Sequence, residues 1–178
     1  MKGVIFNLVE DVVRQEHGDD VWDEVVDASG VTGAYTSLGS YPDADLEALA
    51  TTVALRESAP TSAVMRHIGH ESIASLAARY PEFFEPFDEV RPFLLTLNSI
   101  IHPEVRKLYP GARPPDFDIR TDDAHVLEMV YRSERQRCDL AEGLILGAAD
   151  WFGQVVELSQ PLCELRGDAM CLLRVRTP

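Results

Sequence analysis

His102 is a residue whose type and position in the sequence could support chemistry. It lies beside an apolar stripe, four residues after Asn98 and directly before Pro103. A neutral imidazole in an apolar cavity can ligate iron, but a histidine at the edge of such a stripe is more often a packed or surface residue. Spacing alone leaves both interpretations open. Proline disfavours helical geometry in the preceding residue, so we expect a kink or break near His102.

Tyr131, Ser133 and Arg135 form a second candidate group because they alternate along the chain. If this segment is extended, the three side chains point to one face. A phenol, a hydroxyl and a guanidinium on one face would bind an anion strongly, since arginine can donate two parallel hydrogen bonds to a carboxylate. An exposed polar strand face is the alternative.

The chain has three cysteines, Cys138, Cys163 and Cys171, and this odd number argues against a disulfide-stabilised scaffold. They could be inert core residues, metal ligands or redox-active thiols. A pairing of Cys163 with Cys171 across a hairpin would need oxidation. The sequence shows no pair of nucleophile and base, no Gly-rich phosphate loop and no metalloprotease motif, so we expect that the protein is not an enzyme.

Helices must position His102, because apolar residues recur at three- and four-residue steps through the first half of the chain. The helix that contains His102 has the clearest apolar stripe, formed by Val90, Leu94, Leu97, Ile101, Val105 and Leu108. The first half is therefore predicted to be helical as far as the proline loop that follows residue 109.

The second half has a mixed pattern. Residues 116–120 and 124–132 are typical of two strands around a turn at Asp122 and Asp123, and residues 139–152 return to a helical pattern. Residues 154–160 and 170–176 again favour strands. The sequence therefore predicts an α+β fold with a roughly four-stranded antiparallel sheet.

Length and charge narrow the class of protein. A chain of 178 residues suits one domain, here with a helical lobe of about residues 1–60 and a second lobe of about 61–178. The net charge of -14 argues against nucleic acid as a partner, because phosphate binding needs a basic surface. The first 60 residues are strongly acidic, which indicates either a solvated face or a face that docks a basic partner. No apolar run suits a membrane span and no signal peptide is evident, so we expect a cytoplasmic protein.

Several stretches together resemble the haem nitric oxide/oxygen binding (H-NOX) family. YRSER at 131–135 matches the family motif Y-x-S-x-R, and IHPEVRKLYPGARPP is similar to the family's haem-proximal helix and the proline loop that follows it. The opening MKGVIFNLVEDVV and the stretch AEGLILGAADWFG are also similar to family sequences. The resemblance covers essentially the whole chain. It implies the H-NOX fold, with a b-type haem held between the two lobes.

The resemblance also implies roles for individual residues. His102 would be the proximal ligand of the haem iron, and Tyr131, Ser133 and Arg135 would hold the two haem propionates. Pro115 would press on the porphyrin, and Ile5 would pack near it on the other face.

The distal side of the haem is expected to be apolar. Family members that bind oxygen stably place a tyrosine where this chain has Leu140. The other residues expected to wall the pocket are Val9, Ile73, Leu76 and Leu144. A hydrogen bond in a dry cavity contributes about 1 kcal/mol or more, and these side chains offer no donor. The resemblance therefore implies a sensor of nitric oxide, with carbon monoxide as a second ligand and oxygen excluded.

The resemblance further implies how the signal passes. Nitric oxide would weaken the bond between iron and His102, the lobes would shift, and the output would pass to a histidine kinase or a diguanylate cyclase/phosphodiesterase. Some family members also hold a zinc ion with three cysteines and a histidine. Cys138, Cys163 and Cys171 match the cysteines, but Gln160 stands at the histidine position, so zinc is an open expectation. The alternative function is a haem-free, cysteine- or zinc-containing adaptor that binds a small molecule.

Overall fold

A computed structural model describes residues 1–177 and shows a helical first half followed by a mixed second half. The α-helices in this described part are α1 (Gly3–His17), α2 (Asp19–Ser29), α3 (Asp43–Glu57), α4 (Thr61–Arg79), α5 (Val90–Leu95), α6 (His102–Leu108) and α7 (Cys138–Trp151). The strands are β1 (Asp116–Asp123), β2 (Val126–Arg132), β3 (Glu157–Leu162) and β4 (Cys171–Arg176). Between residues 1 and 177, no helix is long and apolar enough to cross a membrane.

The four strands form one antiparallel sheet in the order β1-β2-β4-β3. The inner strand β4 buries alternate residues, as a sheet covered on one face requires, and its Leu173 pairs directly with Met129 of β2. This confirms the predicted α+β class and the four-stranded sheet. The turn between β1 and β2 lies at residues 124–125, so the predicted turn at Asp122 and Asp123 was wrong. Both aspartates belong to β1, where the register shifts before the turn.

The helix before His102 contains a π-helical segment at Leu97–Ile101, followed by α6. Pro103 has no N–H to donate, and its ring would clash with the carbonyl four residues earlier in a regular α-helix. The turn directly before Pro103 is wider than an α-turn, because the N–H of Ile101 bonds to the Thr96 carbonyl five residues back at 3.1 Å. The break expected near His102 is therefore a π-turn directly before the histidine.

Two hydrophobic cores lie side by side. The N-terminal core is formed by α1, α2, α3 and the first half of α4, and the sheet-side core by the second half of α4, α7 and the sheet. The border between the two cores falls inside α4, between Ile68 and Ile73. The division into lobes of residues 1–60 and 61–178 stays a prediction, since α4 contributes to both cores.

Helices α4 and α7 pack unusually closely. A Cβ atom on Gly143 would lie 2.8 Å from the Arg66 carbonyl carbon and 2.9 Å from the His70 nitrogen, so only glycine permits this approach. Polar pairs flank the contact: Arg66 donates to the buried carboxylate of Glu142 at 2.6 Å. His70 bonds Asp150 at 2.7 Å. The two helices therefore form a tight contact, the α4–α7 joint, and both of them carry candidate pocket residues.

Candidate functional site

His102 is the first residue of α6, and its imidazole is largely buried. Burial and the nearby charge of Arg106 lower its pKa to about 4, although Asp116 and the Pro115 backbone favour protonation. The ring is therefore neutral at physiological pH. Its Nδ1 atom is buried without a hydrogen-bond partner among residues 1–177. A neutral imidazole with a nitrogen that the protein does not satisfy is the state in which histidine ligates a metal.

The Tyr131–Arg135 segment is a turn and not an extended strand, because β2 ends one residue after Tyr131. The condition under which the three side chains would share one strand face is therefore not met. The turn still brings the three residues together. The Ser133 hydroxyl hydrogen-bonds the Tyr131 phenol and also accepts from the Arg135 backbone N–H at 3.3 Å. Gln136, with a left-handed φ of 51°, closes the turn, and the N–H of Arg137 donates to the Tyr131 hydroxyl at 3.0 Å.

The Arg135 guanidinium is largely buried and bonded on two sides. Its Nε lies 3.0 Å from both carboxylate oxygens of Asp43, and one terminal nitrogen donates to the Arg113 carbonyl at 2.8 Å. Burial disfavours the charged Asp43, but bonds from the chain's amino terminus and Arg135 outweigh it and lower the pKa of this carboxyl. A guanidinium has five N–H donors, so Arg135 keeps donors for an additional anion.

The six apolar candidates of the haem pocket come from three helices and both hydrophobic cores. They are Ile5 and Val9 of α1, Ile73 and Leu76 of α4, and Leu140 and Leu144 of α7. Ile5, Val9 and Leu140 belong to or pack against the N-terminal core, and Ile73, Leu76 and Leu144 do so for the sheet-side core. The candidate wall is therefore assembled where the two cores meet.

These features together fit a haem. A haem needs an unprotonated imidazole, hydrogen-bond donors for its two carboxylates and apolar surroundings, and the chain supplies each of these. The Pro115 backbone interacts with the His102 ring, and a contact of Pro115 with the porphyrin stays a prediction.

Comparison with known proteins decides the family. The sequence model of the family described as Haem-NO-binding matches residues 2–160 of the chain. The chain belongs to the H-NOX family. H-NOX domains are haem-based gas sensors and are not themselves enzymes. No curated protein matches the chain.

Solved H-NOX structures share the whole fold. The H-NOX protein from S. oneidensis in the Fe(II)NO state is 31% identical, with 100% of this chain and 99% of that chain covered and a TM-score of 0.94. The NMR structure of the Shewanella oneidensis domain in the Fe(II)CO state is 31% identical, with the same coverage and a TM-score of 0.90. The unliganded Fe(II) H-NOX protein from K. algicida, 23% identical over 100% and 97% of the two chains, agrees in fold with a TM-score of 0.88.

The three cysteines of this H-NOX domain form a buried cluster. Their sulfur atoms all lie within 4.8 Å of one another, and the Sγ atoms of Cys138 and Cys163 are 3.8 Å apart. Burial raises the pKa of Cys138 to about 12, while an interaction with Gln160 lowers it. Burial also raises the pKa of Cys171, so both thiols are neutral when no metal is bound. The cluster could supply three thiolate ligands to a metal, and Gln160 is a poor fourth ligand.

Two contacts of the site were missed from the sequence. Asp43 bonds Arg135 across 92 residues, and the Asn98 side chain bonds the Phe117 backbone. Asn98 stood out only by its place four residues before His102, and nothing marked Phe117. Such pairs carry no local signal, because each depends on how distant segments meet in the fold.

Proposed function

We propose that this H-NOX domain binds a b-type haem through His102 and senses nitric oxide, with carbon monoxide as a second ligand and oxygen excluded. The observation that carries the proposal is the buried, neutral His102 ring, whose Nδ1 has no hydrogen-bond partner in the described part of the chain. When bound, ferrous haem would supply an iron centre that binds a diatomic gas, and His102 would be its ligand from the protein.

The residues of the chain hold and orient the group. The His102 imidazole stays unprotonated because burial opposes its charge, so its electron pair is available to iron. Tyr131, Ser133 and the free donors of Arg135 bind the propionates, and Asp43 keeps the guanidinium in place. Pro115 would press on the porphyrin, and Ile5 would pack near it on the other face.

Selectivity follows from the pocket wall. Val9, Ile73, Leu76, Leu140 and Leu144 have only aliphatic side chains, so they cannot donate a hydrogen bond to bound oxygen. The Ser72 hydroxyl on the same helix as Ile73 donates to the Ile68 carbonyl at 2.6 Å and is already engaged. Nitric oxide and carbon monoxide bind without such a donor, so the pocket favours them.

The output passes to a partner protein, a histidine kinase or a diguanylate cyclase/phosphodiesterase. The acidic N-terminal region supports a partner with a basic docking face, because residues 1–60 carry twelve acidic residues against three basic ones. Release of His102 from iron would let α6 shift, and the Arg135–Asp43 contact would transmit that shift to the start of α3.

The test is the absorption spectrum of the reduced protein and of His102→Gly, with and without nitric oxide. The wild type should show a five-coordinate ferrous Soret band that moves on addition of nitric oxide but not in air. His102→Gly should lose haem unless free imidazole is supplied. A variant that keeps the normal five-coordinate spectrum without imidazole would refute His102 as the ligand.

A zinc ion at the cysteine cluster is a second, separate proposal. The approach of three sulfur atoms within 4.8 Å supports it. Metal analysis of the purified protein should find about one zinc per chain, and Cys138→Ser should lose it. A zinc-free wild type purified without chelator would refute the site and leave three inert thiols.

A further inference from the structure

The Asn98 side chain makes two hydrogen bonds to the backbone of a single residue on the sheet. Its Nδ2 donates to the Phe117 carbonyl, and the Phe117 N–H donates to its Oδ1 at 3.2 Å. The two bonds run in opposite directions, so they fix the orientation of the amide, and neither bond forms if the amide is reversed. This Asn98–Phe117 pair joins the π-turn to β1.

Phe117 in turn contacts two residues of the candidate haem site. Its ring stacks on the His102 imidazole with centroids 6.1 Å apart and planes 24° apart. It also meets the Tyr131 ring edge-on at 5.7 Å. The Phe117 side chain is only 5% exposed, so it has little room to move. The backbone that Asn98 holds therefore belongs to a residue packed against the imidazole itself.

The segment that carries Asn98 is one whose own backbone bonds are irregular. Pro103 cannot donate into the preceding turn, and the N–H of His102 bonds to the Leu97 carbonyl five residues back. A π-turn is less favourable than a regular α-turn and often marks a functional site. External bonds to β1 therefore matter more for the position of this segment than they would for a regular helix.

We propose that Asn98 is a positioning residue for the iron ligand: its two hydrogen bonds to Phe117 hold the His102 end of α6 against β1. The inference rests on the proposed function, since it takes His102 as the ligand of haem iron. A histidine held in this way would keep its place against β1 when nitric oxide binds to the haem, so its bond to iron would be lost more readily. A histidine on a less restrained segment would move more easily, and the bond would survive more often.

The experiment compares wild type with Asn98→Leu, which has a similar size and no hydrogen bond, in the haem-loaded protein. Ser99→Ala is the matched control, because Ser99 is exposed on the same π-turn. Asn98→Asp, which keeps the acceptor for the Phe117 N–H and loses the donor, is a milder variant. Three quantities are measured: hydrogen exchange of the Phe117 amide by NMR, the iron–histidine stretching band, and the ratio of six- to five-coordinate nitric oxide complex.

In Asn98→Leu we expect faster exchange of the Phe117 amide, a shifted stretching band and a roughly fivefold rise in the six- to five-coordinate ratio, as the loss of about one net hydrogen bond implies. Ser99→Ala should match wild type, and Asn98→Asp should lie between. Should Asn98→Leu fail to fold, the same comparison is made with Asn98→Asp.

The outcomes separate this inference from the proposed function. A wild type without a histidine-ligated haem overturns the proposed function, and the positioning role with it. A normal wild type whose Asn98→Leu exchanges Phe117 faster but keeps the band and the ratio overturns the positioning role alone. Unchanged Phe117 exchange overturns the Asn98–Phe117 pair itself.

Discussion

Substitution of Gly143 by alanine tests whether the α4–α7 contact is as close as the structure shows. Gly143 lies in the middle of α7, and its neighbours across the interface are backbone atoms of Arg66 and His70. Flexible side-chain ends could move aside, but backbone in the middle of a helix cannot. The added methyl group therefore has to push the two helices apart.

The expected magnitude comes from two opposing effects. Alanine is the better helix former by about 1 kcal/mol, which favours the variant. The added Cβ would lie 2.8–2.9 Å from the nearest backbone carbon and nitrogen, whereas ordinary contact begins at 3.4 Å, and the Arg66 carbonyl oxygen is closer still. Overpacking of this kind costs about 1–3 kcal/mol, and backbone obstacles place it at the upper end. We expect a net loss of about 2 kcal/mol in the free energy of unfolding.

The assay is thermal or urea unfolding of the haem-free and haem-loaded forms. For a chain of this size, 2 kcal/mol corresponds to a fall in Tm of about 4–8 °C. Gly111→Ala is the control, because a Cβ there meets open space and only the left-handed φ of 80° is unfavourable. That control should lose about 1 kcal/mol and leave gas binding unchanged. Gly143→Ala should also alter gas binding, since α7 carries Leu140 and Leu144.

The sign of the change in the free energy of unfolding distinguishes overpacking from helix propensity. If only helix propensity acts, Gly143→Ala is more stable than wild type by about 1 kcal/mol. A variant as stable as wild type, or more stable, would show that the helices do not approach as described and would refute the reasoning.

Three further predictions concern neighbouring features of the joint and pocket. Arg66→Leu should lower the free energy of unfolding, measured in urea, by about 3 kcal/mol, because it leaves the buried Glu142 carboxylate unpaired. The control Arg56→Leu, on the exposed surface, should lower it by under about 1 kcal/mol. Burial opposes protonation of His70, but hydrogen bonds to its two carboxylate partners outweigh this effect and raise its pKa above 6.5. Below about pH 6.5 the wild type should therefore be more stable than His70→Gln, and this difference should disappear as the pH rises. Equal differences at pH 5 and pH 9 would contradict this. Leu140→Tyr should allow a ferrous oxygen complex in air, visible in the absorption spectrum, because the phenol adds a donor to the pocket wall; no such complex would argue against the pocket assignment.

The elements of the fold were predictable where local pattern dominates. Apolar spacing predicted the helices of the first half, and alternation predicted the strands, because each pattern reflects the face that its own element buries. The turn after Tyr131 was not predictable in this way. Alternating polar residues are equally typical of an exposed strand face, so the pattern did not indicate a turn. The chain turns there because Ser133 and the backbone near Gln136 make local hydrogen bonds.

The candidate site was predicted by resemblance more than by the residues alone. The type and spacing of His102 favoured a packed or surface histidine and left a metal ligand as the less common alternative. The structure adds what spacing could not provide: burial that keeps the ring neutral, and a ring nitrogen that finds no hydrogen-bond partner within residues 1–177. The Asn98–Phe117 pair depends on two segments that meet only in the folded chain, so no periodicity could have indicated it.

The distribution of strong and weak contacts indicates which parts of the domain can move. The α4–α7 joint has backbone atoms in direct contact and a buried ion pair, so sliding these helices would disrupt close packing. By contrast, α3 is joined to the turn after β2 through ion pairs that include partly exposed carboxylates, such as Asp43 with Arg135. Because the Asp43 carboxylate is open to solvent, water can replace this ion pair more easily than it can replace contacts between backbone atoms. A shift of α6 would therefore reach α3 through the Arg135–Asp43 pair and leave the α4–α7 joint in place, so Asp43→Asn should weaken the coupling between the haem and α3 without disrupting that joint.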